Sequence, residues 1–216
     1  MHVAEIAPPW FPIPPTAYGG IERVVYDLSE GLVAAGHDVT LFAPAGSRTS
    51  GRLVETVPAG VGLDLGEDEK QSQFLRNGRL AYTAAAALGA DLVHDHTDFT
   101  PDPDFPLPVV RTIHGPAVDS HVAMYAAMSA RGDHFLAISA RQRDLFRAAA
   151  RALFGPGDHI RFDGVVHNPI DVASAPFYPA SAKADYVVFL GRCHWEKDPV
   201  GAIQAAHAAG MPLKLA

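Results

Sequence analysis

Short apolar runs alternate with helix-period segments from one end of the chain to the other, and this limits the fold more than any other sequence feature. Runs of strand length fall at residues 2–7, 38–43, 53–57, 91–96, 108–114 and 134–138. Between the first two, Ile21, Val24, Val25, Leu28 and Leu32 recur at helical spacing, and Gly36 supplies the stop. An Ala-rich helix is predicted near 68–88 and a further one near 118–130. The last runs from Ser139, a suitable N-cap, to Phe154, where Gly155-Pro156-Gly157 ends it. Strands alternating with helices predict an α/β fold with a doubly wound, mostly parallel sheet and ligands beyond the carboxyl ends of the strands. After residues 171–184, small and rich in Pro and Ser like a linker, the pattern restarts at 185–216 with strand, polar loop, helix and strand. One such unit cannot bury both faces of its strands, so the sequence predicts a domain over 1–170, a linker over 171–184 and an incomplete second α/β domain over 185–216.

Composition narrows the function. The 216 residues are 48% hydrophobic and 19% charged, a globular balance. Seventeen Lys and Arg against 24 Asp and Glu leave a net charge of −7, which disfavours a general nucleic-acid binder. The single cysteine, Cys193, excludes an internal disulfide framework and suits a reducing compartment. Glu5 interrupts the first apolar run before a leader core forms, prolines stud residues 6–21, and 80–90 is too short to span a bilayer. A cytoplasmic protein is expected.

Several loops offer chemistry. Gly19-Gly20 opens the first helix, where unpaired N–H groups and the absence of side chains would let an anion approach; an ordinary glycine turn explains the pair equally well. The loop lacks both G-x-G-x-x-G and G-x-x-x-x-G-K-[ST]. On a strand, His94 and His96 project to one face and Asp95 to the other. Two histidines and an acid could ligate zinc, but H-x-H alone is a weak metal signal, and a polar strand end with hydrogen-bonded histidines is the simpler reading. His114 ends the next strand, where it would point into the binding crevice and suit a hydroxyl-rich ligand. Gly191-Arg192 and Glu196-Lys197 straddle a loop in which Arg192 and Lys197 could meet phosphate oxygens, surface ion pairing being the alternative. Arg143, Arg147 and Arg151 make a basic helix stripe that reads first as a solvated face and second as a contact for an anionic membrane or acceptor. No G-x-S-x-G occurs, so nothing supports a hydrolase elbow.

The order of these signals resembles the retaining glycosyltransferases of family 4, whose two Rossmann-like domains make the GT-B fold. The resemblance runs through Tyr18-Gly19-Gly20-Ile21-Glu22-Arg23, Gly36-His37-Asp38-Val39, Asp91-Leu92-Val93-His94-Asp95-His96, Thr112-Ile113-His114-Gly115, Ala137-Ile138-Ser139, His167-Asn168-Pro169-Ile170-Asp171, and Phe189-Leu190-Gly191-Arg192 with Glu196-Lys197. It implies sugar transfer from a nucleotide-sugar to an acceptor hydroxyl with retention of configuration. Gly19 and Gly20 would approach the donor diphosphate, and His114 would be the catalytic-site histidine that hydrogen-bonds the donor sugar. Arg192 and Lys197 would neutralise the departing nucleoside diphosphate in place of a metal. The acceptor is expected near Tyr18, Asp95, His96 and Asp98. The resemblance implies no cofactor beyond the nucleotide-sugar co-substrate. The family's paired glutamates, seven residues apart, do not occur before Ala216, so these residues alone are expected to show little or no turnover. Pro169 stands where the family often has glycine, and Asp198 where it has glycine after the lysine; the first should stiffen the hinge and the second weaken phosphate attraction. The rival readings are a non-catalytic carbohydrate- or nucleotide-binding module and a metal-dependent hydrolase built on His94 and His96.

Overall fold

The first apolar run becomes an interior strand, not an edge. In the computed structural model, β1 (His2–Ile6) pairs in parallel with β2 (Asp38–Ala43) on one side and with β4 (Leu92–Asp95) on the other. β3 (Arg52–Glu55), β5 (Val109–Ile113), β6 (His134–Ala137) and β7 (Phe162–Val165) complete a wholly parallel seven-stranded sheet in the order β3-β2-β1-β4-β5-β6-β7. The structure describes residues 1–58, 65–173 and 175–216, so Ser174 of the expected linker lies outside the described residues. These residues divide into two compact units, Met1–Pro169 and Ile170–Ala216.

Alternation along the strands sorts the helices into layers. α2 (Glu67–Ala87) packs Ala81, Tyr82 and Ala85 on Ala4, Ile6 and Val93. Its first turn carries Glu67, Asp68 and Glu69, where the helix dipole favours negative charge. α3 (Asp119–Ala130) and α4 (Ala140–Phe154) pack Val122, Tyr125, Phe146 and Ala150 on Ile113 and Phe135. Val109 touches the α2 cluster and Ile113 the α3–α4 cluster from the same side of β5, so three helices share one face. α1 (Gly20–Ala34) lies on the other face, against Leu41 and Ala43. That face is barer. Val110 and Leu136 are only half-buried, and with Val3, Leu92, Leu28 and Leu32 they line an apolar groove of about 500 Å³.

The helix ends follow local chemistry. Ser139 caps α4 by accepting from the Gln142 N–H. Gly36, at φ 86°, closes α1, its N–H donating to Val33 and that of His37 to Leu32. One strand went unread in the sequence. β7 contains Asp163-Gly164, which breaks the apolar pattern, and its pairing with β6 slips between Phe135 and Leu136. Among the described residues no helix is long and apolar enough to cross a membrane.

In the second unit, β8 (Val187–Phe189) and β9 (Leu213–Leu215) pair in parallel across α5 (Pro199–Ala208). Asp198 is the N-cap of α5. It holds φ 53°, and its carboxylate accepts from the Gly201 N–H at 2.9 Å, with Pro199 in the first turn.

Candidate functional site

The amino end of α1 is built around two glycines with different constraints. Gly19 sits at φ 155°, and a Cβ there would lie 2.6 Å from the Pro15 Cβ, so only glycine fits. A Cβ on Gly20 would meet nothing within 4 Å, which leaves the first turn open to approach. No side chain caps this helix end. Tyr18, exposed, stands edge-on to Phe11 with ring centroids 5.9 Å apart. Glu22, in the first turn, is buried; that burial raises its carboxyl, against the pull of its own backbone N–H.

Beyond the same sheet face, the carboxyl ends of β1, β4 and β5 bring together a chain of ionisable groups. Glu5 is fully buried. His94 Nδ1 lies 3.2 Å from Glu5 Oε1, and His96 Nε2 lies 3.1 Å from Glu5 Oε2. His94 Nε2 meets the Thr112 hydroxyl at 2.8 Å, and His96 Nδ1 meets His114 Nε2 at 3.0 Å. The His96 and His114 rings stack with centroids 5.3 Å apart. Strand pairing creates the cluster, since Glu5 is aligned with His94 across the β1–β4 ladder.

The charges in this chain are unequal. Burial alone would raise the Glu5 carboxyl, but the two facing imidazoles bring it down to about 2. Burial would lower His94, yet the Glu5 carboxylate leaves it raised overall. His96, more deeply enclosed and beside the charge on His94, is lowered. Burial and then the two neighbouring histidines take His114 down to about 3. The surroundings thus favour the charged forms of Glu5 and His94 and the neutral forms of His96 and His114.

Asp95 points the other way. Its carboxylate accepts from Tyr82 Oη at 2.6 Å, from Arg111 Nη1 at 2.8 Å and from the Thr97 N–H at 2.6 Å. Arg111 Nε reaches Asp133 at 2.7 Å, and Nη2 donates to Tyr82 Oη at 3.2 Å. Asp95 is therefore spent inside the protein and does not face an acceptor. Asp98 stands at the surface and accepts from Tyr125 Oη. Of the residues expected on the acceptor side, Tyr18 and Asp98 are exposed, while Asp95 and His96 are buried.

Arg192 and Lys197 belong to the second unit, in the loop that leaves the carboxyl end of β8. Both are exposed, and two turns bind the loop, from the His194 N–H to the Arg192 carbonyl and from the Lys197 N–H to the His194 carbonyl. The Asp198 carboxylate, next to Lys197, accepts from the Gly201 N–H and so holds the start of α5. In the basic stripe, Arg147 pairs with Asp158 and lies over Phe162, and Arg143 pairs with Asp144, so both are engaged within the protein.

Glu5, His94 and His96 each offer a ligand atom, all within 4.8 Å of one another. The Glu5 carboxylate already meets both imidazoles, one on each oxygen, and a metal would have to compete with those contacts. Sequence reading took Glu5 only as a break in an apolar run. A lone acid in a strand read as buried is itself a signal, because it requires a partner; the partners lie 89 and 91 residues away.

The family model described as Glycosyltransferase Family 4 matches residues 18–174. Glycogen synthases of Mycobacterium tuberculosis strains CDC 1551 / Oshkosh and ATCC 25618 / H37Rv are 28% identical over 234 aligned residues, covering 89% of this chain and 55% of theirs. The crystal structure of AviGT4, a glycosyltransferase involved in avilamycin A biosynthesis, matches with a TM-score of 0.57 and 28% identity, over 98% of this chain and 55% of that one. The chain thus spans about half the length of these relatives.

Proposed function

The chain belongs to glycosyltransferase family 4, and from that premise we propose that it serves sugar transfer from a nucleotide-sugar to an acceptor hydroxyl with retention at the anomeric carbon. The observation that carries the reading is the family match itself, which takes in both the open Gly19-Gly20 helix end and His114. In this mechanism the first amides of α1 meet the donor diphosphate, where the helix dipole and unpaired N–H groups favour an anion. His114 hydrogen-bonds the donor sugar. Arg192 and Lys197 offset the charge that develops on the departing nucleoside diphosphate, so no divalent ion is needed. Tyr18 and Asp98 border the acceptor. Cys193, exposed and alone, fits a reducing cytoplasm.

The test is release of nucleoside diphosphate from a panel of nucleotide-sugars and hydroxyl acceptors, in EDTA, by the protein at the length its gene encodes. We expect release without added metal, a product of unchanged anomeric configuration, and a loss of at least about 100-fold in kcat/KM, ~2.7 kcal/mol, in Arg192→Ala. An inverted product, or activity abolished by EDTA, overturns the reading.

A further inference from the structure

The hydrogen bonds around His114 leave its ring only one consistent arrangement. A carboxylate accepts and cannot donate, so the Glu5 oxygens take N–H groups from His94 Nδ1 and His96 Nε2. One negative charge faces two imidazoles, and a second buried cation there would be uncompensated. The single cation belongs to His94, whose side chain keeps 11% exposure against none for His96, and whose remaining N–H has the Thr112 hydroxyl as acceptor. His96 is then neutral with its proton on Nε2, and its Nδ1 is a bare lone pair. Among the described residues the group facing that lone pair is His114 Nε2, which must carry the proton. His114 Nδ1 has no hydrogen-bond partner among the described residues.

We propose that Glu5, acting through His96, fixes His114 as its Nε2–H tautomer, so that the group His114 offers a ligand is an acceptor nitrogen, Nδ1. Glu5 and His96 are positioning residues that act on a ligand through His114, to which His96 is joined by one hydrogen bond and Glu5 by two in series. Resting on the sugar-transfer reading above, the consequence is that His114 recognises a hydroxyl by accepting its hydrogen. A phosphate oxygen or an ether, having no proton to give, is excluded from that contact. The other titratable group beside this end of β5 is His121, whose Nδ1 faces the Pro116 carbonyl; it makes no bond to His114.

Nitrogen-15 NMR of histidine-labelled protein reads tautomer and charge directly, with the His114 signals identified by their loss in His114→Gln. The expected spectrum has a protonated Nε2 and an unprotonated Nδ1, unchanged from pH 5 to pH 8. Glu5→Gln keeps this pattern, because its amide oxygen still accepts from His96 while its NH₂ group donates to a neutral His94. Glu5→Leu removes the acceptor, so the whole chain reverses and His114 carries its proton on Nδ1. His96→Phe cuts the chain at its middle link; burial still keeps the His114 ring neutral, but its two nitrogen signals move toward the average of the two tautomers. A wild-type His114 protonated on Nδ1, or on both nitrogens at pH 7, overturns the proposal even if no variant folds. So does a folded Glu5→Leu protein whose His114 is unchanged. The readout needs no nucleotide-sugar, so failure of the transferase reading would leave it standing and would be detected separately.

Discussion

Strands β4 and β5 carry two buried polar networks, one on each face, and the two are built to opposite ends. On the face covered by α2, α3 and α4, Arg111 joins Asp95, Asp133 and Tyr82 in a closed set, each group answered by another. The facing carboxylates raise Arg111 although burial opposes them, and burial with the Asp95 charge raises Tyr82. Neither Arg111 nor Tyr82 changes charge near neutral pH. On the opposite face, Glu5, His94, His96 and His114 form a set with an unfinished end, the Nδ1 of His114. Alternation along one strand thus sends Asp95 to a fixed frame and its neighbours His94 and His96 to an adjustable site.

The difference can be broken from the frame side first. Arg111→Met leaves Asp95 buried without a cation and Asp133 with only Arg131, 3.4 Å away, and urea unfolding should show a loss of about 3–5 kcal/mol. A loss below about 1 kcal/mol would mean that the frame is not what holds these strands.

Acid should separate the faces next. His96 and His114 have folded values below those of the unfolded chain, so the unfolded state takes up protons that the native state refuses as pH falls below about 6.5. Their contribution is complete above that pH and is lost on acidification, down to about 3 for His114. His94, being raised, runs the other way; its contribution is complete below about 6.5 and fades as pH rises through its folded value. Glu5 begins to lose its share only below the usual carboxylate range, down to about 2. The share of His114 should therefore fall by roughly 1.5 kcal/mol between pH 6.5 and 5, and that of His96 falls in the same direction. His114→Gln should remove the His114 share, whereas an unaltered pH slope would contradict a neutral His114.

The smallest effect comes from the frame's hydroxyl. Tyr82→Phe deletes one donor to Asp95 and one acceptor from Arg111, at a cost of about 0.5–1.5 kcal/mol. The histidine nitrogen shifts on the other face should not move. If they do, the networks are coupled through the strands and the contrast between them is false.

The sequence exposed what is local. Alternating apolar runs gave the parallel sheet, Ser139 declared its cap, Gly36 its helix stop, and the H-x-H spacing put two imidazoles on one face. What stayed hidden needed a partner far along the chain. Glu5 and Arg111 are single charges inside apolar strands, and their surroundings in sequence do not say which residues will neutralise them. β7 was hidden by Asp163-Gly164, residues that edge pairing tolerates and apolar patterning does not reveal. Asp198 was read for its charge, when its position just before Pro199 made it a helix cap.

The placement of Glu5 on an interior strand also has a consequence for the growing polypeptide. Glu5 is made before its imidazole partners, which follow 89 and 91 residues later, a delay of about 5–20 s at ordinary rates of synthesis. Through that interval Glu5 is an ordinary hydrated acid on the nascent chain. Its burial waits for β4 and β5 to emerge and dock beside β1, so the ribosome delivers the parts of the site long before any of its chemistry exists.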